Sequence, residues 1–222
     1  MKRLSWFLSL VIVASSVAGS QAASVADRTG EAISILAARQ GSAHPIPASL
    51  LKNAKGVAIV KVTQVGLVFG GSGGQGVVVV RKPGLFGPGW SAPSAFDVSG
   101  GSFGAQIGAQ TKRFVLVINS EDALKLFIGE GKVKWDATAA GTAGGDTAKA
   151  SESDLAELPI IVYQDNDGVF GGATFGGTTL AVNADDNHAA YGPGVFVRDI
   201  VEGKVKAPPY ADRLYSLLNG KR

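Results

Sequence analysis

The clearest periodic signals in this chain are short, β-branched apolar runs. GVAIVKV (56–62) and GVVVVRK (76–82) predict strands, each opened by glycine and closed by a basic residue or its neighbour. KRFVLVINS (112–120) predicts a strand that runs into a helix. Ser120 can cap that helix, Glu121 and Asp122 suit its positive end, Leu124, Phe127 and Ile128 make its apolar face, and Gly129 stops it. LPIIVYQ (158–164) predicts a further strand, followed by a DNDG hairpin turn at 165–168. Helical spacing appears at both ends. Residues 24–39 form an amphipathic pattern with Ser24 and Asp27 placed as a cap and Ile33, Leu36 and Ala37 on one face. Residues 48–54 give a short helical turn. A last helix starts at Pro209, with Tyr210, Leu214, Leu217 and Leu218 along one side. Helix, several strands, helix, strands, helix is the order of an α+β fold with a mainly antiparallel sheet, not of alternating βαβ units.

Glycine modifies that picture. Three segments, 66–80, 98–111 and 168–182, set Gly-Gly pairs among Val, Phe and Ile. Glycine in a strand is entropically unfavourable and packs nothing, so it marks bulges, tight bends or close approach of backbones. The expected result is a strongly curved glycine-rich sheet or partial barrel, with flanking N-terminal, middle and C-terminal helices. Residues 137–157, rich in Ala, Gly and Thr, read as weakly specified.

The first 22 residues read as an export signal: Lys2 and Arg3, an apolar stretch, then Ser20-Gln21-Ala22 as a cleavage site. The expected mature chain is a single domain, residues 23–222, that is periplasmic or secreted. Charge changes meaning with this segment. The full chain has 21 Lys and Arg against 18 Asp and Glu; losing Lys2 and Arg3 leaves 19 against 18. A near-neutral body does not point to nucleic acid. With no cysteine, disulfides and thiolate metal sites are excluded.

Several catalytic patterns match on paper. Gly71, Gly73 and Gly76 fit G-x-G-x-x-G, and Gly70, Ser72 and Gly74 fit G-x-S-x-G, with His188 the sole histidine after Ser72. Both motifs require a helix to follow, whereas VVVV predicts a strand. A glycine hairpin accounts for both matches. Asp165, Asp167 and Gly168 resemble a calcium loop but lack ligands at Tyr163 and Thr174. Asp185, Asp186, Asn187 and His188 read as a solvated polar loop. No catalytic residue, metal site or cofactor is expected.

The remaining candidates are cationic. Lys52, Lys55 and Lys61 flank the first strand, and Arg81 and Lys82 end its neighbour. Converging near Phe86 and Trp90, they would make a basic patch with apolar anchors, suited to an anionic lipid headgroup.

The motifs in order carry a family resemblance. IPASLLKNAKGVAIV, GGSGGQGVVVVR, WSAPSAF, GGSFGAQIGAQ, GVFGGATFGG and the helix from Tyr210 to Leu218 together resemble the SYLF domain family, the Ysc84-type module. WSAPSAF (90–96) is similar to its most recognisable block. The resemblance implies binding of phosphoinositide or another anionic phospholipid at a membrane surface, without catalysis, and links to actin in eukaryotic relatives. For an exported chain actin is not an expected partner, and an envelope protein bound through strand edges is the alternative. The resemblance also implies a basic N-terminal helix in lipid contact. Here residues 24–39 carry Arg28 and Arg39 against Asp27 and Glu31, so what carries over is a lipid-facing β domain.

Overall fold

Strand β1 (Gly56–Gly66) explains the architecture. Val57 and Ile59 point to one face of the sheet and Ala58, Val60 and Val62 to the other, and all five are buried. Such a strand must be central and covered on both sides. The computed structural model describes residues 23–66, 69–82, 89–103, 108–129, 132–135, 151–164, 169–171 and 178–221. Those residues form one eight-stranded sheet in the order β5-β8-β3-β2-β1-β4-β6-β7. The other strands are β2 (Phe69–Val80), β3 (Ser94–Phe103), β4 (Gly108–Ile118), β5 (Lys132–Trp135), β6 (Ile160–Gln164), β7 (Val169–Gly171) and β8 (Thr178–Val182). Every pairing is antiparallel. β1, β2 and β3 are successive neighbours and β4 returns beside β1, the Greek-key order. The sheet is open rather than closed into a barrel, and the expected α+β class holds.

Helices cover both faces. On the first lie α1 (Val25–Gln40), α2 (Ala48–Asn53) and α7 (Asp212–Leu218), whose Leu36, Leu51, Leu214 and Leu218 pack on Val57, Ile59, Val77, Val115 and Ile161. On the second, α3 (Glu121–Ile128) inserts Leu124 and Phe127 against Val60, Val78, Phe96 and Leu116. Phe96 and Phe127 meet edge to face at 5.4 Å, a geometry worth about 1 kcal/mol beyond burial. α4 (Glu152–Glu157), α5 (Ala184–Tyr191) and α6 (Val197–Val201) complete the set. Ser24 and Asp27 do form the expected capping box on α1.

Gly56, Gly74 and Gly76 act by close approach, not by bulging. β1 and β2 pair one to one from Gly56 with Val80 to Gly66 with Gly70. A Cβ on Gly76 would lie 2.5 Å from the Ile59 carbonyl oxygen and 2.8 Å from Phe96, and one on Gly74 2.9 Å from the Lys61 carbonyl. Gly73, facing the other way, has nothing within 4 Å. No glycine described within a strand has a positive φ.

The expected apolar face of α1 holds, with Leu36 buried and Ile33 and Ala37 packed partly exposed against the same core, and its buried side also takes in Val25, Arg28, Thr29, Ala32, Ile35 and Arg39, so both of its arginines face inward. One expectation about a helix is corrected. Residues 184–191 are a helix, not a solvated loop. Asn183 caps it, Asn187 is buried with Oδ1 accepting from the Ala95 N–H and Nδ2 donating to Ser94 Oγ, and Asp186 accepts from Arg28. The expected leader at 1–22, the expected turn at 165–168 and most of the Ala/Gly/Thr-rich stretch lie outside the described residues; the end of that stretch forms α4.

The WSAPSAF block is a structural junction. Ser91 Oγ accepts from the Val80 N–H, the Ser91 carbonyl accepts from Tyr215, and the Pro93 carbonyl accepts from Tyr191. Burial pushes both phenols above the ordinary tyrosine value of 10.0. A folded-state pKa that is raised means the unfolded chain gives up its proton first. Stability is therefore full below about pH 10 and lost as pH rises beyond it. Chemical denaturation across the alkaline range should show this decline, and Tyr191→Phe should flatten it.

Candidate functional site

A cleft of about 740 Å³ opens where the start of β1, the end of β2, α3 and α6 meet. Its floor is apolar: Val80, Leu124, Ile128, Val197 and Val201. Its walls carry five cations, Lys55, Arg81, Lys82, Lys125 and Arg198, against two carboxylates, Glu121 and Glu202. Both size and composition suit a small amphiphile.

Strand geometry places the first three cations. The Lys55 N–H donates to the Ile118 carbonyl and the Arg81 N–H donates to the Lys55 carbonyl, which fixes both residues at one end of the central strands. Lys55 Nζ is 3.5 Å from Glu121, an exposed pair. Lys82 reaches the turn that follows α6, with its Cε 3.2 Å from where a Cβ on Gly203 would stand. Lys125 comes from α3, where its Nζ is 2.7 Å from Asp122; that pair raises the lysine pKa and lowers the carboxyl pKa, so the ammonium stays charged. Arg198 is exposed on α6.

Arg81 differs from the others. Its guanidinium stacks 3.8 Å from the centre of the Trp90 ring and donates to the Leu51 carbonyl, and burial lowers its pKa from the usual arginine value. The stacking contributes about 1–2 kcal/mol at a partly desolvated site. Arg81 therefore braces the cleft wall as well as charging it.

Of the residues expected from sequence, Lys55, Arg81 and Lys82 come together. Lys52 is exposed on α2 but does not line the cleft. Lys61 lies farther along β1, on the sheet's first face, 3.4 Å from Glu31 of α1. Trp90 is corrected: at 3 % exposure its indole belongs to the core, with Nε1 donating to Asn219 Oδ1, so it offers no surface anchor. Phe86 lies outside the described residues. Lys125 and Arg198 were missed. Each reads locally as an ordinary charge on a helix, and only the packing of α3 and α6 brings them opposite the strand ends.

A second cavity of about 620 Å³ lies between α1 and the glycine strands. Its edge is held by Arg28, which is 4 % exposed. Arg28 Nη1 donates to Asp97 at 2.7 Å, Nη2 to Asp186 at 2.6 Å, and Nε to the Ala23 carbonyl at 3.0 Å. These bonds join α1, β3 and α5. Arg39, the other α1 cation, donates to the Gln164 carbonyl and lies over the Tyr163 ring. The helix thus uses its arginines to hold the fold, and neither is presented to a membrane.

Ser72 sits mid-strand, paired with Gln64 and Gly100, and its Oγ donates to the Gly100 carbonyl. β2 continues beyond it to Val80, without the helix that a nucleophile elbow or a dinucleotide loop requires. Among the described residues no group of three His, Asp or Glu side chains is placed to hold a metal ion.

A family model described as Ysc84, Las17-binding protein actin regulator, matches residues 99–221. Protein YSC84 of Saccharomyces cerevisiae is 33 % identical over 186 residues, covering 82 % of this chain and 39 % of its own length. An SH3 domain-containing protein of Schizosaccharomyces pombe is 34 % identical over 185 residues, covering 82 % and 42 %. Human SH3 domain-containing YSC84-like protein 1 is 29 % identical over 187 residues, covering 83 % and 54 %. The chain spans about two fifths to one half of the length of these relatives. No solved structure matches it. With the sequence blocks in order and a family match across more than half of its length, the chain belongs to the Ysc84 family, whose shared module is the SYLF domain.

Proposed function

We propose that this chain is a non-enzymatic lipid-binding module and that the cleft at the end of β1 and β2 receives an anionic phospholipid headgroup. The observation that carries this reading is the pairing of five cations with an apolar floor in one cleft. The cations meet phosphate oxygens; Val80, Leu124 and Ile128 meet glycerol or acyl carbon. Each basic side chain near an anionic surface contributes about 1 kcal/mol. The family description, which speaks of Las17 binding and actin regulation, favours a binding role over a catalytic one. The leader-like pattern of residues 1–22, a basic start, an apolar stretch and Ser20-Gln21-Ala22, supports a site of action outside the cytoplasm, on a membrane face. Among the described residues no helix is long and apolar enough to cross a membrane, and the proposed association is peripheral.

Co-sedimentation with phosphatidylcholine vesicles, with and without phosphatidylglycerol, tests the reading. Wild type should pellet with the anionic vesicles and far less with neutral ones. Lys82→Gln with Arg198→Gln should weaken anionic binding roughly thirtyfold, the equivalent of two lost contacts, and added salt should weaken wild type similarly. Equal pelleting with both vesicle types, insensitive to the double substitution, contradicts it. Arg81 is a poor choice for this test because its loss also frees Trp90 and Leu51.

A further inference from the structure

We propose that Phe196 is the membrane-inserting anchor of this surface, entering the bilayer interface beside the headgroup held in the cleft. The proposal rests on the lipid reading above and supplies the apolar contact that buried Trp90 cannot make.

Phe196 is 59 % exposed, the greatest exposure among the large apolar side chains described. A single exposed hydrophobe is ordinary on a protein surface. What distinguishes this one is how it is held. Asp199 closes on it from both sides: its N–H donates to the Phe196 carbonyl at 2.9 Å, and its Oδ2 accepts from the Phe196 N–H at 3.2 Å. Asp199 in turn accepts from Lys204 at 3.0 Å. The preceding loop is tied by the Gly192 N–H to His188 and the Val195 N–H to Gly192. Gly192 (φ +108°) and Gly194 (φ +85°) make its turns, and neither has an atom within 4 Å of where a Cβ would stand. The chain thus projects into open space and then fixes the backbone of a phenylalanine whose ring the core does not take up. A ring displayed on a fixed backbone loses little conformational freedom on insertion.

Position and charge name the occupant. The next two residues, Val197 and Arg198, line the cationic cleft. An exposed ring adjacent in the chain to the wall of a cleft with five cations and two carboxylates matches a surface that is anionic at the headgroups and apolar just beneath them, which is a bilayer containing acidic phospholipid. The loop at 192–196 carries no charge, so nothing in it opposes entry into the interface.

The test uses the full chain, with phosphatidylcholine vesicles containing phosphatidylglycerol. Phe196→Ala should bind about tenfold more weakly than wild type, as expected for losing one inserted aromatic side chain. Phe196→Trp should restore binding, and the emission of the introduced indole should shift to the blue and be quenched by lipids brominated on the acyl chain. Soluble glycerol phosphate, the headgroup without the bilayer, should compete equally with wild type and Phe196→Ala. If Phe196→Ala partitions like wild type, or the indole introduced by Phe196→Trp does not respond to brominated lipid, the anchor assignment is overturned while the cleft reading stands. If wild type itself leaves anionic vesicles unbound, both are overturned.

Discussion

Replacing Arg28 by methionine is expected to lower the free energy of unfolding by about 3–5 kcal/mol, the range for breaking a buried ion pair from one side. Methionine keeps most of the volume but leaves Asp186, itself largely buried, without its cation. It also frees the Phe96 and Ala23 carbonyls and removes the link between α1, β3 and α5. Asp97 retains the Asn183 side chain and is 42 % exposed, so it suffers less. Adding Asp186→Asn to Arg28→Met should recover part of the loss, because the uncompensated charge is then gone. Urea denaturation checks this. A loss under about 1 kcal/mol, or one that disappears in high salt, would mean that the pair is loose and solvated.

Gly76→Ala is expected to destabilise by about 1–3 kcal/mol, while Gly73→Ala stays within roughly 0.5 kcal/mol of wild type. The two glycines lie three residues apart on one strand and face opposite sides. At Gly76 a methyl group meets the Ile59 carbonyl and the edge of Phe96. Neither yields easily, since the carbonyl is backbone in a fully paired strand and the phenyl ring is held against Phe127. At Gly73 the methyl enters open space, and the lower entropy of the unfolded chain is a small gain. Thermal unfolding of the two variants side by side distinguishes glycine kept for close packing from glycine that is merely tolerated. Equal effects would remove the packing explanation.

Particular residues show what the sequence could reveal. β1 was legible because its apolar run is unbroken, and α3 because Ser120, its acidic first turn and Gly129 mark both ends. The close-approach role of Gly76 was one of several options the composition left open; deciding among them required Phe96, which lies on the neighbouring strand directly opposite it. Arg28 was not legible at all. A cation on a predicted helix defaults to solvent, and its partners Asp97 and Asp186 stand 69 and 158 residues away. Asp186 and Asn187 were misread for the same reason, since polar residues with distant partners look like a loop. The cleft was half visible. Lys55, Arg81 and Lys82 share a strand-end position that spacing can suggest, whereas Lys125 and Arg198 reach it through helix packing. Trp90 was misplaced because an aromatic beside basic residues reads equally well as a surface anchor or as the stacking partner of a structural arginine. The 3.8 Å stack on Arg81 decides for the second.

The central claim is that acidic lipid binds at the mouth formed by β1, β2, α3 and α6. Amide chemical-shift mapping during titration with a short-chain phosphatidylglycerol kept below its micelle concentration tests it most directly. The account predicts saturable shifts concentrated at Lys55, Arg81, Lys82, Lys125 and Arg198, suppressed in Lys82→Gln with Arg198→Gln. Shifts gathered instead around Arg28, Glu31 and Lys61 beside α1, or scattered without saturation, would contradict it.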